Sequence, residues 1–303
     1  MRRDHSDDDG LEVAAQSVTR RRFEHDRVSE QVDAVAAEEP LEVRLAGASL
    51  AILMRTPGHD EDLTLGFLAG EGVITGAADV RSIRHCSLAR DPDADENVIQ
   101  VQLREGIEVD FDALQRNFVA NASCGVCGKA TIEHALRGIP PIEDSLRVDA
   151  ARIVSLAAGL QSAQPVFART GGLHAAGLFS AQGRPLVVRE DIGRHNAVDK
   201  VVGWALRRGR HPLRGHLLMV SGRISFEIVQ KALAACIPIL VAVSAPSSLA
   251  VRLAEEADMT LVAFLRGRSF NVYGRRDRIV LAPRLLAALK RDGESPKASD
   301  GKR

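Results

Sequence analysis

The feature that most constrains the fold lies between residues 216 and 265, where short apolar runs alternate strictly with amphipathic ones. His216 to Val220, Ile237 to Val243 and Met259 to Leu265 read as strands. Phe226 to Cys236 and Ser247 to Ala257 read as the helices between them. This β-α-β-α-β order, with strands apolar at nearly every position, predicts a parallel sheet buried on both faces. Aromatic residues are only 4% of the chain, so its core must be built from Leu, Val, Ile and Ala.

Upstream, Val148 to Gln161 is predicted as a helix, followed by three closely spaced strands at Val166 to Thr170, Leu173 to Phe179 and Pro185 to Glu190. Asn196 to Arg207 is a helix with Val198, Val201, Val202 and Leu206 on one face. Residues 146–285 are therefore expected to form an α/β domain with a mixed sheet, the earlier strands supplying its antiparallel part. Ile139-Pro140-Pro141-Ile142 is a rigid break at its start. Residues 29–145 form a smaller α+β unit: strands at Leu41 to Leu45, Ser49 to Arg55, Val80 to Cys86 and Asn97 to Leu103, and helices at Asp60 to Glu71, Asp110 to Phe118 and Thr131 to Leu136. Residues 1–28 alternate basic and acidic clusters and read as a disordered arm, and 286–303 as a polar tail.

Charge and composition narrow the classes of function. Forty Lys and Arg offset forty Asp and Glu, which argues against wholesale binding to nucleic acid or to an anionic membrane but not against a local basic patch. No apolar run is long enough to cross a bilayer, and Met1-Arg2-Arg3-Asp4 opens no secretory signal, so a cytoplasmic location is expected. Four cysteines, Cys86, Cys124, Cys127 and Cys236, are too few for a disulfide framework in a chain of 303 residues.

Cys124-Gly125-Val126-Cys127-Gly128-Lys129 carries the sharpest chemical signal. Asn121 and Ser123 precede it as helix caps, and a helical run follows. Cys124 is thus expected at a helix N-terminus, where unpaired N–H groups favour a thiolate, and the glycines keep the sulfur accessible. A structural zinc site needs four ligands; only His85-Cys86 could complete the set, and the absence of a second C-x-x-C disfavours it. Thioredoxin-type redox would put the pair after the first strand of a βαβ unit. Group transfer, one thiolate carrying sulfur and the other assisting, is the third reading; residue types alone do not separate it from redox chemistry.

Further candidates fall at strand-to-helix junctions, where open α/β sheets bind ligands. Arg189 to Lys200 is dense in polar groups, with Arg194 and His195 at its centre. Ser221-Gly222-Arg223 suits an oxyanion or phosphate at a helix start, whereas Ser247 reads as a plain helix cap. Gly171-Gly172-Leu173-His174-Ala175-Ala176 has Ala176 where a zinc deaminase carries its glutamate, and its Cys pair lies upstream instead of downstream, so deaminase chemistry is disfavoured. Phe264-Leu265-Arg266-Gly267-Arg268-Ser269 follows the last parallel strand, and residues 266–278 hold five arginines against one aspartate. That excess points to a phosphorylated ligand.

Taken in order, these segments resemble the FdhD family of formate dehydrogenase accessory sulfurtransferases. The resemblance rests on Arg55-Thr56-Pro57-Gly58, Leu65 to Gly72, Cys124 to Gly128, Thr170 to Ala176, Glu190 to Lys200, Ser221 to Arg223, Phe264 to Ser269 and Val272-Tyr273. It implies a cytidine deaminase-like, three-layer mixed-sheet domain preceded by a smaller α+β domain that carries the Cys pair. It also implies a cytoplasmic homodimer that moves sulfur, as a persulfide on Cys124 assisted by Cys127, from a cysteine desulfurase to a bis-molybdopterin guanine dinucleotide cofactor of molybdenum or tungsten. The client would be formate dehydrogenase, with no nucleic acid, membrane or permanent metal involved. The cofactor-binding stretch maps to Phe264, Leu265, Arg266, Gly267, Arg268 and Ser269, with Arg194, Ser221 and Arg223 at the neighbouring junctions. The alternative is a non-enzymatic cofactor chaperone or zinc-stabilised adaptor.

Overall fold

The computed structural model describes residues 13–86, 96–107, 109, 111 and 141–281. It opens on an antiparallel ribbon of β1 (Ala15–Glu24) and β2 (Arg27–Ala36). The expected disordered arm is thus corrected from residue 15 onward. The ribbon is held by its ladder and by cross-strand pairs such as Arg20–Asp33, and nearly every side chain on it is exposed. A strand with no buried face has no apolar alternation, so sequence pattern cannot reveal it.

Next come β3 (Glu39–Leu45), β4 (Ala48–Arg55), α1 (Asp60–Gly70), β5 (Val80–His85) and β6 (Val98–Leu103). The four strands form a sheet of order β4-β3-β6-β5. Leu41, Val43 and Leu45 of β3 turn inward, while Glu42 and Arg44 turn outward, the period of 2 that the sequence displays. β7 (Val148–Asp149) leads into α2 (Ala150–Gln161), capped by the Asp149 carboxylate, which accepts from the Ala151 N–H at 2.7 Å.

Residues 165–170, expected as a strand, form the helix α3 (Pro165–Thr170). Three features account for it. Pro165 occupies the first turn, Gly171 closes the helix in the left-handed region at φ 68°, and the Glu190 carboxylate accepts from the N–H groups of Val166 (3.0 Å) and Phe167 (2.7 Å). That last cap comes from 24 residues downstream and is invisible to local reading.

The expected alternation holds through β12: β8 (His174–Ser180), β9 (Pro185–Asp191), α4 (Arg194–Arg207), β10 (His216–Val220), α5 (Phe226–Ala234), β11 (Ile239–Ala242), α6 (Ser248–Glu256) and β12 (Thr260–Arg266). Beyond it lie two further strands, β13 (Ser269–Gly274), paired with β12 in the stretch read as a basic loop, and β14 (Ile279–Val280). Six strands make one mixed sheet, β13-β12-β11-β10-β8-β9. β10, β11 and β12 run parallel, and β8, β9 and β13 antiparallel to their neighbours. One face packs on α4, α5 and α6, the other on α2, giving the expected three-layer arrangement with a mixed sheet at its centre.

The small sheet joins this domain through α1. Leu41, Val43, Ile99, Leu63 and Leu68 share one apolar core with Val198, Val201, Leu218 and Leu240. The join requires α1 and α4 to touch backbone to backbone. A Cβ on Gly66 would stand 1.9 Å from the Asp199 carbonyl oxygen, so this crossing excludes any side chain there.

Candidate functional site

The C-terminal ends of β10, β11 and β12, the start of β8 and the end of β9 all reach the same edge of the large sheet. This edge gathers His174, Asp191, Arg194, Ser221, Gly222, Arg223 and the β12–β13 turn. Ser221 is held between strands: its N–H donates to the Ala175 carbonyl and its Oγ accepts from the Ala175 N–H, both at 2.9 Å. Gly222 touches its neighbours across the edge. A Cβ there would lie 3.5 Å from both Arg194 Cβ and His174 Nδ1. Arg223 is exposed, and Arg194 is half-buried with an Nε that is shielded from solvent and has no hydrogen-bond partner among the described residues. Burial, then the charges of Arg194 and His195, hold His174 below the ordinary imidazole range, which keeps it neutral beside the arginine.

The β12–β13 turn stands on the same edge. Phe264 donates its N–H to the Ser244 carbonyl at 3.1 Å, adopts φ 56° and leaves its ring 38% exposed. Arg266, Gly267, Arg268 and Ser269 are exposed, with Gly267 at φ 56° closing the turn. Leu265 points the other way, into the core beneath α2. β12 lies two strands from β10, so the turn stands about 10 Å from Ser221.

Most of the polar density at 189–200 is consumed by the fold. Asp191, fully buried, accepts from the N–H groups of Thr56 (3.2 Å) and Gly193 (2.8 Å) and from Asn196 Nδ2 (3.0 Å), and pairs with Lys200 at 2.7 Å. Lys200 also donates to the Thr56 carbonyl at 2.8 Å. Arg194 and His195 are left facing the sheet edge.

Sequence reading missed the partners of this helix start. His195 Nε2 lies 2.8 Å from Glu227 Oε2 and 3.2 Å from Ser225 Oγ. Both contacts use the same nitrogen, so the three are no Ser–His–acid relay, which needs both ring nitrogens. The hydrogen bond from His195 is the main reason the Glu227 carboxyl sits below its ordinary range. One turn further in, Lys231 donates to both oxygens of Asp199 at 2.8 and 2.9 Å. His195/Asp199 on α4 therefore face Glu227/Lys231 on α5 with signs alternating. The signal was an ionisable pair four apart on each helix, His195 and Asp199 on α4 and Glu227 and Lys231 on α5.

Arg55 forms a second buried knot, its Nε and Nη2 on the Asp60 carboxylate at 3.1 and 3.0 Å and its Nη1 on Glu39 at 3.2 Å. It fixes the segment that Thr56 continues toward Asp191.

Cys124 and Cys127 lie outside the described residues, as do the expected helix at 131–136, all but residue 111 of the one expected at 110–118, the first twelve residues and the tail from 286. Among the described residues no group of three or more His, Cys, Asp or Glu is placed to hold a metal ion. Among them, too, no helix is long and apolar enough to cross a membrane.

Comparison with known proteins bears on the family and the fold. The model of the FdhD/NarQ family matches residues 36–280. A protein of Mycolicibacterium paratuberculosis named sulfur carrier protein FdhD is 51% identical over 271 residues, covering 87% of this chain and 99% of its own length. A protein of the same name from Streptomyces coelicolor is 50% identical over 259 residues, 84% of this chain and 92% of the relative. Among solved structures, the crystal structure of a candidate formate dehydrogenase accessory protein from Desulfotalea psychrophila superposes with a TM-score of 0.70 at 28% identity, over 88% of this chain and 100% of that one.

Proposed function

The chain belongs to the FdhD/NarQ family, and from that premise we propose that it is a sulfur carrier serving formate dehydrogenase. The observation that carries the reading is the name its relatives bear at about half identity over nearly their whole length, 99% in one case. In finer terms, it is a cytoplasmic, homodimeric sulfurtransferase. Cys124 takes sulfur from a cysteine desulfurase and passes it to a bis-molybdopterin guanine dinucleotide cofactor, with Cys127 assisting.

Loading is a thiol exchange. The Cys124 thiolate attacks the outer sulfur of the donor's persulfide, a new S–S bond forms, the donor's S–S bond breaks and the donor leaves as a thiolate. No net oxidation occurs, and the rate follows the fraction of Cys124 that is ionised.

The acceptor is a substrate, and the residues of the sheet edge suit it. A doubly phosphorylated dinucleotide needs guanidinium donors and close backbone approach. Arg194 offers a shielded Nε without a hydrogen-bond partner among the described residues, and Gly222 packs without a side chain between it and His174. Arg223, Arg266 and Arg268 add exposed charge, and Ser221 keeps a hydroxyl proton to donate. Phe264 offers a ring face and Ser269 a hydroxyl, while Gly267 lets the turn backbone come close and Leu265 anchors the hairpin in the core.

The test is mass spectrometry of the full chain after incubation with a cysteine desulfurase and cysteine, together with elemental analysis. One added sulfur on Cys124, lost in Cys124→Ala, is expected. One tightly held zinc per chain with no sulfur uptake would make the chain an adaptor instead.

A further inference from the structure

A second positive surface lies at the other end of α4. The 14 residues of that helix place it about 20 Å from Arg194. Here Trp204, the sole tryptophan of the chain and 8% exposed, is covered by two guanidinium groups. Arg208 lies 4.8 Å and Arg210 5.4 Å from the ring centroid. The helix ends so as to bring both there. Gly209, at φ 63°, donates its N–H to the Leu206 carbonyl, and Arg210 donates back to Ala205, which folds the chain over the ring.

These two arginines differ from their neighbours. Arg207 pairs with Glu61 at 2.9 Å and with Asp62 at 3.0 Å, and Arg189 reaches Asp62 at 3.4 Å. Arg208 and Arg210 are exposed and form no ion pair among the described residues. Arg207 already places a cation at the C-terminal end of the helix dipole, so the dipole alone does not call for two more. Packing two like charges on one ring is unfavourable unless an anion joins them. The positive field is registered next door, where the His59 imidazole is pushed down to about 3 by burial and then by Arg189, Lys200, Arg207 and Arg208.

We propose that the Arg208–Trp204–Arg210 surface docks an acidic polypeptide segment of a partner protein. A guanidinium group carries paired N–H donors that match a carboxylate, and two of them lie here within 5.4 Å of one ring centroid. Two guanidinium groups on one ring offer contacts for one or two carboxylates, too short a patch for a continuous phosphodiester backbone, and the chain as a whole is neutral. The surface is separate from the sheet edge that serves the proposed sulfur acceptor, so the two can be tested apart.

The probe is a fluorescein-labelled hexaglutamate peptide titrated with the full chain at low salt and followed by anisotropy. Saturable binding is expected, weakened at least tenfold in Arg208→Ala/Arg210→Ala and strongly reduced by raised salt. Arg266→Ala/Arg268→Ala should bind as the parent does. In the unlabelled complex the fluorescence of Trp204 should shift, because its two cationic neighbours are engaged. Absence of saturable binding, equal binding by the double variant, or better competition by a single-stranded oligonucleotide than by free hexaglutamate would overturn the proposal. Sulfur loading on Cys124 is measured independently and stands or falls separately.

Discussion

Gly203 on α4 is pressed against Asp62 on α1: a methyl group in place of one of its hydrogens would stand 1.7 Å from the Asp62 carbonyl oxygen. Reciprocally, a Cβ on Gly66 would stand 1.9 Å from the Asp199 carbonyl oxygen, so the two helices cross through a pair of glycines. A clash with backbone cannot be relieved by changing a rotamer; the helices must part, and the core shared by both sheets opens with them. Gly203→Ala is expected to cost roughly 3 kcal/mol or more. Gly76→Ala, where a Cβ meets nothing within 4 Å, should stay within about 0.5 kcal/mol. Urea unfolding followed by circular dichroism measures both.

Asp191 is expected to be a scaffold residue. Its carboxylate serves four donors, and Lys200, 1% exposed, has it as its only ion-pair partner among the described residues. Asp191→Ala strands a buried ammonium and should cost about 3–5 kcal/mol. Arg194→Ala, three residues away on the half-exposed edge, should cost about 1 kcal/mol or less. If the two variants unfold alike, the division between scaffold and site within this segment is wrong.

The buried Asp199–Lys231 pair makes a prediction about pH. Burial pushes the Asp199 carboxyl up to about 6 from an ordinary 3.8, against the opposing pull of Lys231. A pKa higher in the folded than in the unfolded state means that folding takes up a proton between those values. The contribution of Asp199 is therefore complete below 3.8 and is lost as pH rises through about 6, an effect on the order of 3 kcal/mol at most. Asp199→Asn removes the titration. Over about pH 4 to 7 the stability of the parent relative to this variant should fall as pH rises. A gap that is flat with pH, or that widens in the parent's favour, would show the carboxyl to be ionised throughout.

How much was legible in the sequence depended on where each residue's partner lay. β10 through β12 were readable because strands buried on both faces are apolar at every position. β3 was readable because one buried face imposes a period of 2. α3 was misread because its cap, Glu190, comes from another strand, and a six-residue helix has too few turns to show a period. The β1–β2 ribbon was missed because it buries almost nothing. At the site, residue types marked Arg194, Ser221, Arg223 and the 264–269 turn, and the sheet topology places them on one edge. Which charges at 189–200 were structural stayed hidden, because the answer lay in Thr56, more than 130 residues away in the chain.

The last prediction ranks the arginines of that edge. The proposed acceptor site asks Arg194 to use a shielded nitrogen and asks Arg266 and Arg268 to act from an open turn. A charge-assisted hydrogen bond is worth roughly 1.5–3 kcal/mol when desolvated and less when solvated. Arg194→Ala should therefore weaken binding of GDP, a fragment of the dinucleotide, about tenfold or more. Arg266→Ala and Arg268→Ala singly should weaken it by less, through screening at the open turn. Persulfide loading of Cys124 should be untouched in all three, because the edge holds the acceptor and the cysteine carries the donor sulfur. Titration calorimetry reads the affinities and mass spectrometry the loading. If Arg194→Ala binds GDP as tightly as the parent, the half-buried Arg194 is a packing element and the acceptor sits elsewhere. If the turn variants lose more than Arg194→Ala does, the phosphates lie out at the hairpin instead of beside Gly222.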